Sequence, residues 1–299
     1  MGMNRSYPAK LILFGEYTVI NKSEAMAIPF RLFKGKWEFE LENFAAAIKS
    51  REKLVEIHSY LDVNNFNNLD LHTFKTDISN GIWFSSNIPF GYGSGSSGAL
   101  CAAIYDRYAI DKTSDLILLR EYLGRIESFF HGTSSGTDPL VSYLDKPIKI
   151  SEDQSISILP ELKDDKNPKT FVLVIDCGFS RESDKLVKHY LENCTDPLFM
   201  SELVEPIKKQ VKICIKSILN RNTELIHSTK IISELQLRYM KNMIPNKIQT
   251  LWEEGVKSKK FSLKLCGAGG GGFMLAFCYD KDTLAKNFEG FNTYKLISL

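Results

Sequence analysis

Apolar and polar positions change rhythm along this chain, and the changes mark out its elements. The run AKLILFGEYTVI (9–20) begins as an apolar strand and breaks at the Gly15-Glu16 step, while GKWEFEL (35–41) alternates as a half-buried strand does. Residues 44–63 place apolar side chains at helical spacing beside a charged face, and GIWFSSNIP (81–89) returns to strand. Helical spacing recurs over 96–108 and 114–130. The stretch SEDQSISILPELKDDKNPK (151–169) is rich in charge, proline and turn formers, which predicts a domain boundary there. TFVLVIDCGF (170–179) then reads as a buried strand, with helices from about 184 to 260. FSLKLCGAGGGGFMLAFCY (261–279) reads as strand, glycine run and strand; residues 282–288 read as helix and 293–298 as extended chain. This irregular mixing of strands and helices predicts an α+β fold.

Composition narrows the classes. Of 299 residues, 43% are hydrophobic and 25% charged, enough apolar matter for sizeable cores. The 38 basic and 36 acidic residues are well mixed, so nothing marks a nucleic-acid binder. Six scattered cysteines with no CxxC pair fit reduced core thiols in a cytoplasm rather than a disulfide framework or zinc site. No apolar run is long enough to cross a bilayer.

The candidate chemistry begins at IPFGYGSGSSGALCAAIYDRYA (88–109), where four glycines and three serines precede an apolar helix. Residues 93–98 satisfy GxGxxG, but the acidic second strand that a dinucleotide fold requires is missing, since the following region reads as helix. A P-loop also fails, because Gly98-Ala99 stands where GK[ST] would be. A flexible linker fits poorly between Pro89 and the apolar segments at both ends. What remains is a loop whose glycines let an anion approach closely and whose helix start, near Ser96, points unpaired N–H groups at it. Ser96 and Ser97 add hydroxyls, one of them a candidate Mg²⁺ ligand. Phosphate binding follows from these residues; the kind of phosphate does not.

PFGYGSGSSGAL (89–100) resembles the P-x-G-x-G-x-G-S-S-A signature of the GHMP kinases. Three further segments are similar to motifs of that family in the same order: PAKLILFGEYTVI (8–20), ESFFHGTSSGTDPLVSYL (127–144) and KLCGAGGGGFMLAF (264–277). The resemblance implies a two-domain fold, an ATP-binding domain over 1–165 like the second domain of ribosomal protein S5 and a ferredoxin-like domain over 166–299, with the site between them. It also implies transfer of the ATP γ-phosphoryl group to a small-molecule alcohol, with Mg²⁺ as cofactor.

Site roles follow from the same resemblance. Asp138, which by local sequence alone reads equally well as a helix N-cap before Pro139, becomes the catalytic carboxylate, with Lys10 beside it. Gly91, Gly93, Ser94, Gly95, Ser96, Ser97 and Gly98 become the ATP loop, and Ser97 with Glu127 the metal ligands. Glu16, Tyr17, Arg181, Ser183, Gly267, Ala268 and Gly269 fall on the substrate side. Tyr17 is a departure, since a histidine is usual there, and an arginine at 181 suits a carboxylate-bearing acceptor. The implied protein is cytoplasmic, without nucleic-acid or membrane partners, and a homodimer is compatible with it. Three rivals share parts of this pattern: a GHMP kinase for another acceptor, an ATP-dependent decarboxylase of the same family, and a nucleotide-binding regulator without activity.

Overall fold

The computed structural model describes residues 5–39, 44–180, 183–280 and 287–299. Two compact units divide the chain: unit 1 gathers Met1–Lys10, Ile28–Pro89 and Ser94–Lys146, and unit 2 gathers Leu11–Ala27, Phe90–Gly93 and Pro147–Leu299. The units are interleaved in sequence. Strand β1 (Ser6–Phe14) passes from unit 1 into unit 2, and β2 (Ala25–Glu38) passes back.

In unit 1 the end of β2 pairs antiparallel with β3 (Trp83–Ser86), from Gly35 opposite Ser86 to Glu38 opposite Trp83. The predicted alternation is visible here: Trp37 is buried between Lys36 and Glu38 and meets the rings of Phe84 and Tyr108 edge-on, at 5.4 and 6.1 Å. Helices α1 (Phe44–Val63), α2 (Leu71–Ser79), α3 (Ser96–Tyr108), α4 (Leu116–His131) and α5 (Thr137–Leu144) complete the unit. Helix α4 starts where Asp115 accepts hydrogen bonds from the Ile117 and Leu118 amides at 2.8 and 3.1 Å. Helix α3 is buried over most of its surface because its small residues, Ala99, Cys101, Ala102 and Ala103, let neighbours close in on every side.

In unit 2 the first residues of β2, Ala25–Ala27, pair with β4 (Ile148–Ile150), which pairs with β5 (Ile156–Ile158). A second sheet has the order β7-β8-β6-β9, built from β6 (Phe171–Asp176), β7 (Phe261–Leu265), β8 (Phe273–Cys278) and β9 (Asn292–Ser298). Its inner strands β6 and β8 are almost wholly buried, as their unbroken apolar runs predict. Helix α6 (Ser183–Asn193), the short α7 (Pro197–Phe199) running through a π-helical turn into α8 (Glu205–Asn220), α9 (Glu224–Tyr239) and α10 (Asn246–Ser258) make up the rest.

The helix predicted at 282–288 falls largely on residues 281–286, outside the described residues. The six cysteines form no disulfide, and five of them are buried. No described helix is long and apolar enough to cross a membrane.

Candidate active site

Unit 1 brings together Lys10, the loop from Ser94 to Gly98, Glu127 and Asp138, all singled out from the sequence. Lys10, on β1, is buried, and its Nζ lies 2.7 Å from Asp138 Oδ1. Its backbone amide donates to the Ser94 carbonyl at 2.8 Å, which ties the strand to the glycine loop. Gly95 caps α3 in the left-handed region at φ +76°, with α3 beginning at Ser96 as predicted. A Cβ at Gly98 would stand 2.8 Å from the Pro139 nitrogen and 2.9 Å from Asp138 Cβ, so only glycine allows α3 to meet the start of α5 this closely. That contact sets Asp138 against the loop. Asp138 does not act as an N-cap: Gly136 holds that position, and Asp138 sits in the first turn of α5, near the positive end of the helix dipole.

Glu127 lies on the buried face of α4, one turn before its end, with both carboxylate oxygens engaged. Ser97 Oγ donates to Oε1 at 2.9 Å, and Ser134 Oγ donates to Oε2. His131 Nε2 stands 3.2 Å from Ser97 Oγ. Burial first, then the negative charge of Asp138, push the Glu127 carboxyl up to about 7, against the pull of the two serines and Lys10.

Unit 2 holds the predicted substrate-side residues differently. Glu16 is buried, with Oε1 accepting from Gln236 Nε2 at 2.7 Å and Oε2 paired with Lys264 Nζ. Burial raises the Glu16 carboxyl above its ordinary range, and Lys264 opposes the rise. Lys264 also donates to the Leu265 carbonyl at 2.7 Å, and the Leu265 amide donates to Gln236 Oε1 at 3.0 Å. Tyr17, at φ +62°, donates its hydroxyl to the Ala268 carbonyl and packs its ring, tilted by 39°, 4.6 Å from that of Tyr190. The glycine run 267–272 is pinned by the Gly270 amide on the Met243 carbonyl at 2.6 Å and the Gly272 amide on the Phe179 carbonyl at 2.9 Å. Ser183 opens α6, and Arg181 lies outside the described residues.

Sequence reasoning missed Ser134, His131, Lys264 and Gln236. Ser134 stood in plain view in HGTSSGTD, a polar cluster seven positions after Glu127. Gln236 carries no such signal, since a glutamine on an amphipathic helix is ordinarily solvated.

No protein-family model matches the chain. Solved structures that share its fold include mevalonate kinases, phosphomevalonate kinases and a galactokinase, small-molecule kinases of the GHMP class, and the chain has the α+β fold of that class. Among curated proteins, its relatives are mevalonate kinases. The one from Thermococcus gammatolerans is 27% identical over 324 residues, covering 93% of this chain and 90% of the relative. The L. major mevalonate kinase solved with R-mevalonate has a TM-score of 0.64 at 16% identity, covering 98% of this chain and 95% of that one. The Streptococcus pneumoniae phosphomevalonate kinase solved with phosphomevalonate and AMPPNP gives 0.63 at 15% identity, covering 98% and 99%.

Proposed function

We propose that the protein transfers the γ-phosphoryl group of ATP to the 5-hydroxyl of mevalonate, giving 5-phosphomevalonate for isoprenoid synthesis. The observation that carries this reading is the Lys10–Asp138 pair held against Gly95 and Gly98. The loop from Gly91 to Gly98, through Gly93, Ser94, Ser96 and Ser97, cradles the triphosphate at the start of α3, where unpaired N–H groups and the helix dipole favour an anion. Asp138 Oδ accepts the proton of the substrate hydroxyl as that oxygen attacks the γ-phosphorus, and the Lys10 ammonium offsets the charge gathering on the transferred group. No covalent enzyme intermediate is needed, because phosphoryl transfer asks chiefly for positioning and charge stabilisation.

The residues fit Mg²⁺. Glu127 and Ser97 supply hard oxygen donors, and a buried carboxylate with its affinity for protons raised is one that gains from a cation. When bound there, Mg²⁺ supplies neutralising charge for the phosphates. Tyr17 serves the acceptor side by fixing the loop that contains Gly267, Ala268 and Gly269, Glu16 by holding β7 just before it, and Arg181 with Ser183 falls to the acceptor carboxylate. The division at 165/166, a cytoplasmic location, compatibility with a homodimer, and the lack of membrane or nucleic-acid partners belong to the same reading.

The test is an ADP-release assay offering mevalonate, phosphomevalonate, galactose and homoserine in turn. Mevalonate is expected to be preferred by orders of magnitude in kcat/KM. Preference for phosphomevalonate or a sugar would move the enzyme within its class, and release of CO₂ from diphosphomevalonate would make it a decarboxylase. ATP binding without turnover of any acceptor would leave a regulator.

A further inference from the structure

Glu127 is held at its two oxygens by serines of different freedom. The Ser134 hydroxyl is engaged both ways: its oxygen accepts the Gly136 amide at 3.0 Å, and its one proton goes to Glu127 Oε2. Its place is rigid as well. A Cβ on Gly124 would lie 3.1 Å from both the Ser134 carbonyl and the Gly136 nitrogen, and one on Gly136 would lie 2.0 Å from the Arg120 carbonyl. The loop carrying Ser134 thus rests directly on α4, with no slack for it to lift away from Glu127. Ser97 is different. Its hydroxyl donates to Oε1 at 2.9 Å but also lies 3.2 Å from His131 Nε2, so its proton and lone pairs have a second partner to turn to.

We propose that Ser134 is a specificity-determining residue for the metal: by holding Oε2 it leaves Glu127 a one-oxygen ligand through Oε1, which favours Mg²⁺ over Ca²⁺. The inference rests on the reading of Glu127 and Ser97 as the pair that holds Mg²⁺. Its chemistry is general. Ca²⁺ takes six to eight oxygens and readily accepts a carboxylate through both, whereas Mg²⁺ demands a compact octahedron, keeps waters and takes carboxylates singly. Opening Oε2 would remove a handicap that falls on the larger ion alone.

The experiment measures equilibrium binding of a non-hydrolysable ATP analogue to the full chain in Mg²⁺ and in Ca²⁺, with no acceptor present. In Ser134→Ala the Mg²⁺/Ca²⁺ affinity ratio should fall by about tenfold, roughly the weight of one hydrogen bond to a charged group. Ser134→Thr, which keeps a hydroxyl, should hold the ratio close to that of the unaltered protein. If the alanine variant does not fold, Ser134→Cys, close in size but a weak donor, must lower the ratio in its place. Glu127→Ala separates the two readings. Should it remove the Mg²⁺ dependence while the Ser134 variants leave the ratio unmoved, the role of Ser134 is refuted and the metal pair stands. Should Glu127→Ala leave the Mg²⁺ dependence unchanged, the metal pair falls and this inference with it.

Discussion

The molecule contains two lysine–carboxylate pairs that look alike on paper and differ in what surrounds them. Lys10 and Asp138 meet at 2.7 Å with 27% of the aspartate side chain exposed, beside the start of a helix. Lys264 and Glu16 meet with 1% and 4% exposed, and each makes a further hydrogen bond, Lys264 to the Leu265 carbonyl and Glu16 from Gln236. An ion pair with an open side can exchange its partner for a substrate hydroxyl. A sealed one has no room to, and its two charges instead fix β7 and the turn after β1 in one arrangement. Lysine and carboxylate alone do not make a site; access does.

The largest expected effect breaks the comparison at its open member. Asp138→Asn keeps shape and removes the proton acceptor, so kcat for ADP release should drop by about 10²–10⁴-fold. ATP affinity should stay close to that of the unaltered protein, while the urea midpoint falls because the buried Lys10 loses its counter-charge; normal turnover would take Asp138 out of the chemistry.

The sealed pair should answer in stability. Lys264→Met strands a buried carboxylate and should cost about 3–5 kcal/mol in urea unfolding. The sign with pH is fixed. Burial already lifts the Glu16 carboxyl and Lys264 opposes the rise, so removing the lysine lifts it further. The folded variant then holds a proton that the unfolded chain has released, and its stability falls as pH climbs above the ordinary carboxylate range. The deficit against the unaltered protein should therefore be larger at pH 8 than at pH 5. Equal deficits at both would mean that Glu16 does not feel its burial.

Two smaller effects sharpen the contrast. Ser97→Ala should raise the Mg²⁺ concentration needed for half-maximal rate by about tenfold, the scale of one bond to a charged group, and an unshifted magnesium titration would exclude Ser97 as a ligand. Tyr17→Phe loses the bond to the Ala268 carbonyl and should cost about 0.5–1.5 kcal/mol, read as a modest shift in the urea midpoint. A kcat unchanged alongside it would confine Tyr17 to support of the loop.

Much of this was legible in the residue order. The helix at 44–63 has the bounds that its spacing predicts, and the helix at Ser96 begins where the glycines end. Other elements gave too little signal. Strands β4 and β5 are three residues each, too short to show a period, and the first half of β2, which contains Pro29, carries no clean alternation. Asp138 could be read as a cap because Asp-Pro is a good local start for a helix, and only the fold shows Gly136 taking that place.

By itself the sequence determined the α+β alternation, the glycine loop and its helix, and the list of charged residues worth watching, because periodicity, turn chemistry and motif order act over short stretches of chain. Tertiary structure alone decided that Lys264 faces Glu16, that Gly98 lets α5 press Asp138 against the loop, and that Ser134 closes over one oxygen of Glu127. Those facts depend on packing between segments far apart in sequence, where burial sets the worth of a charge and no local pattern records the partner.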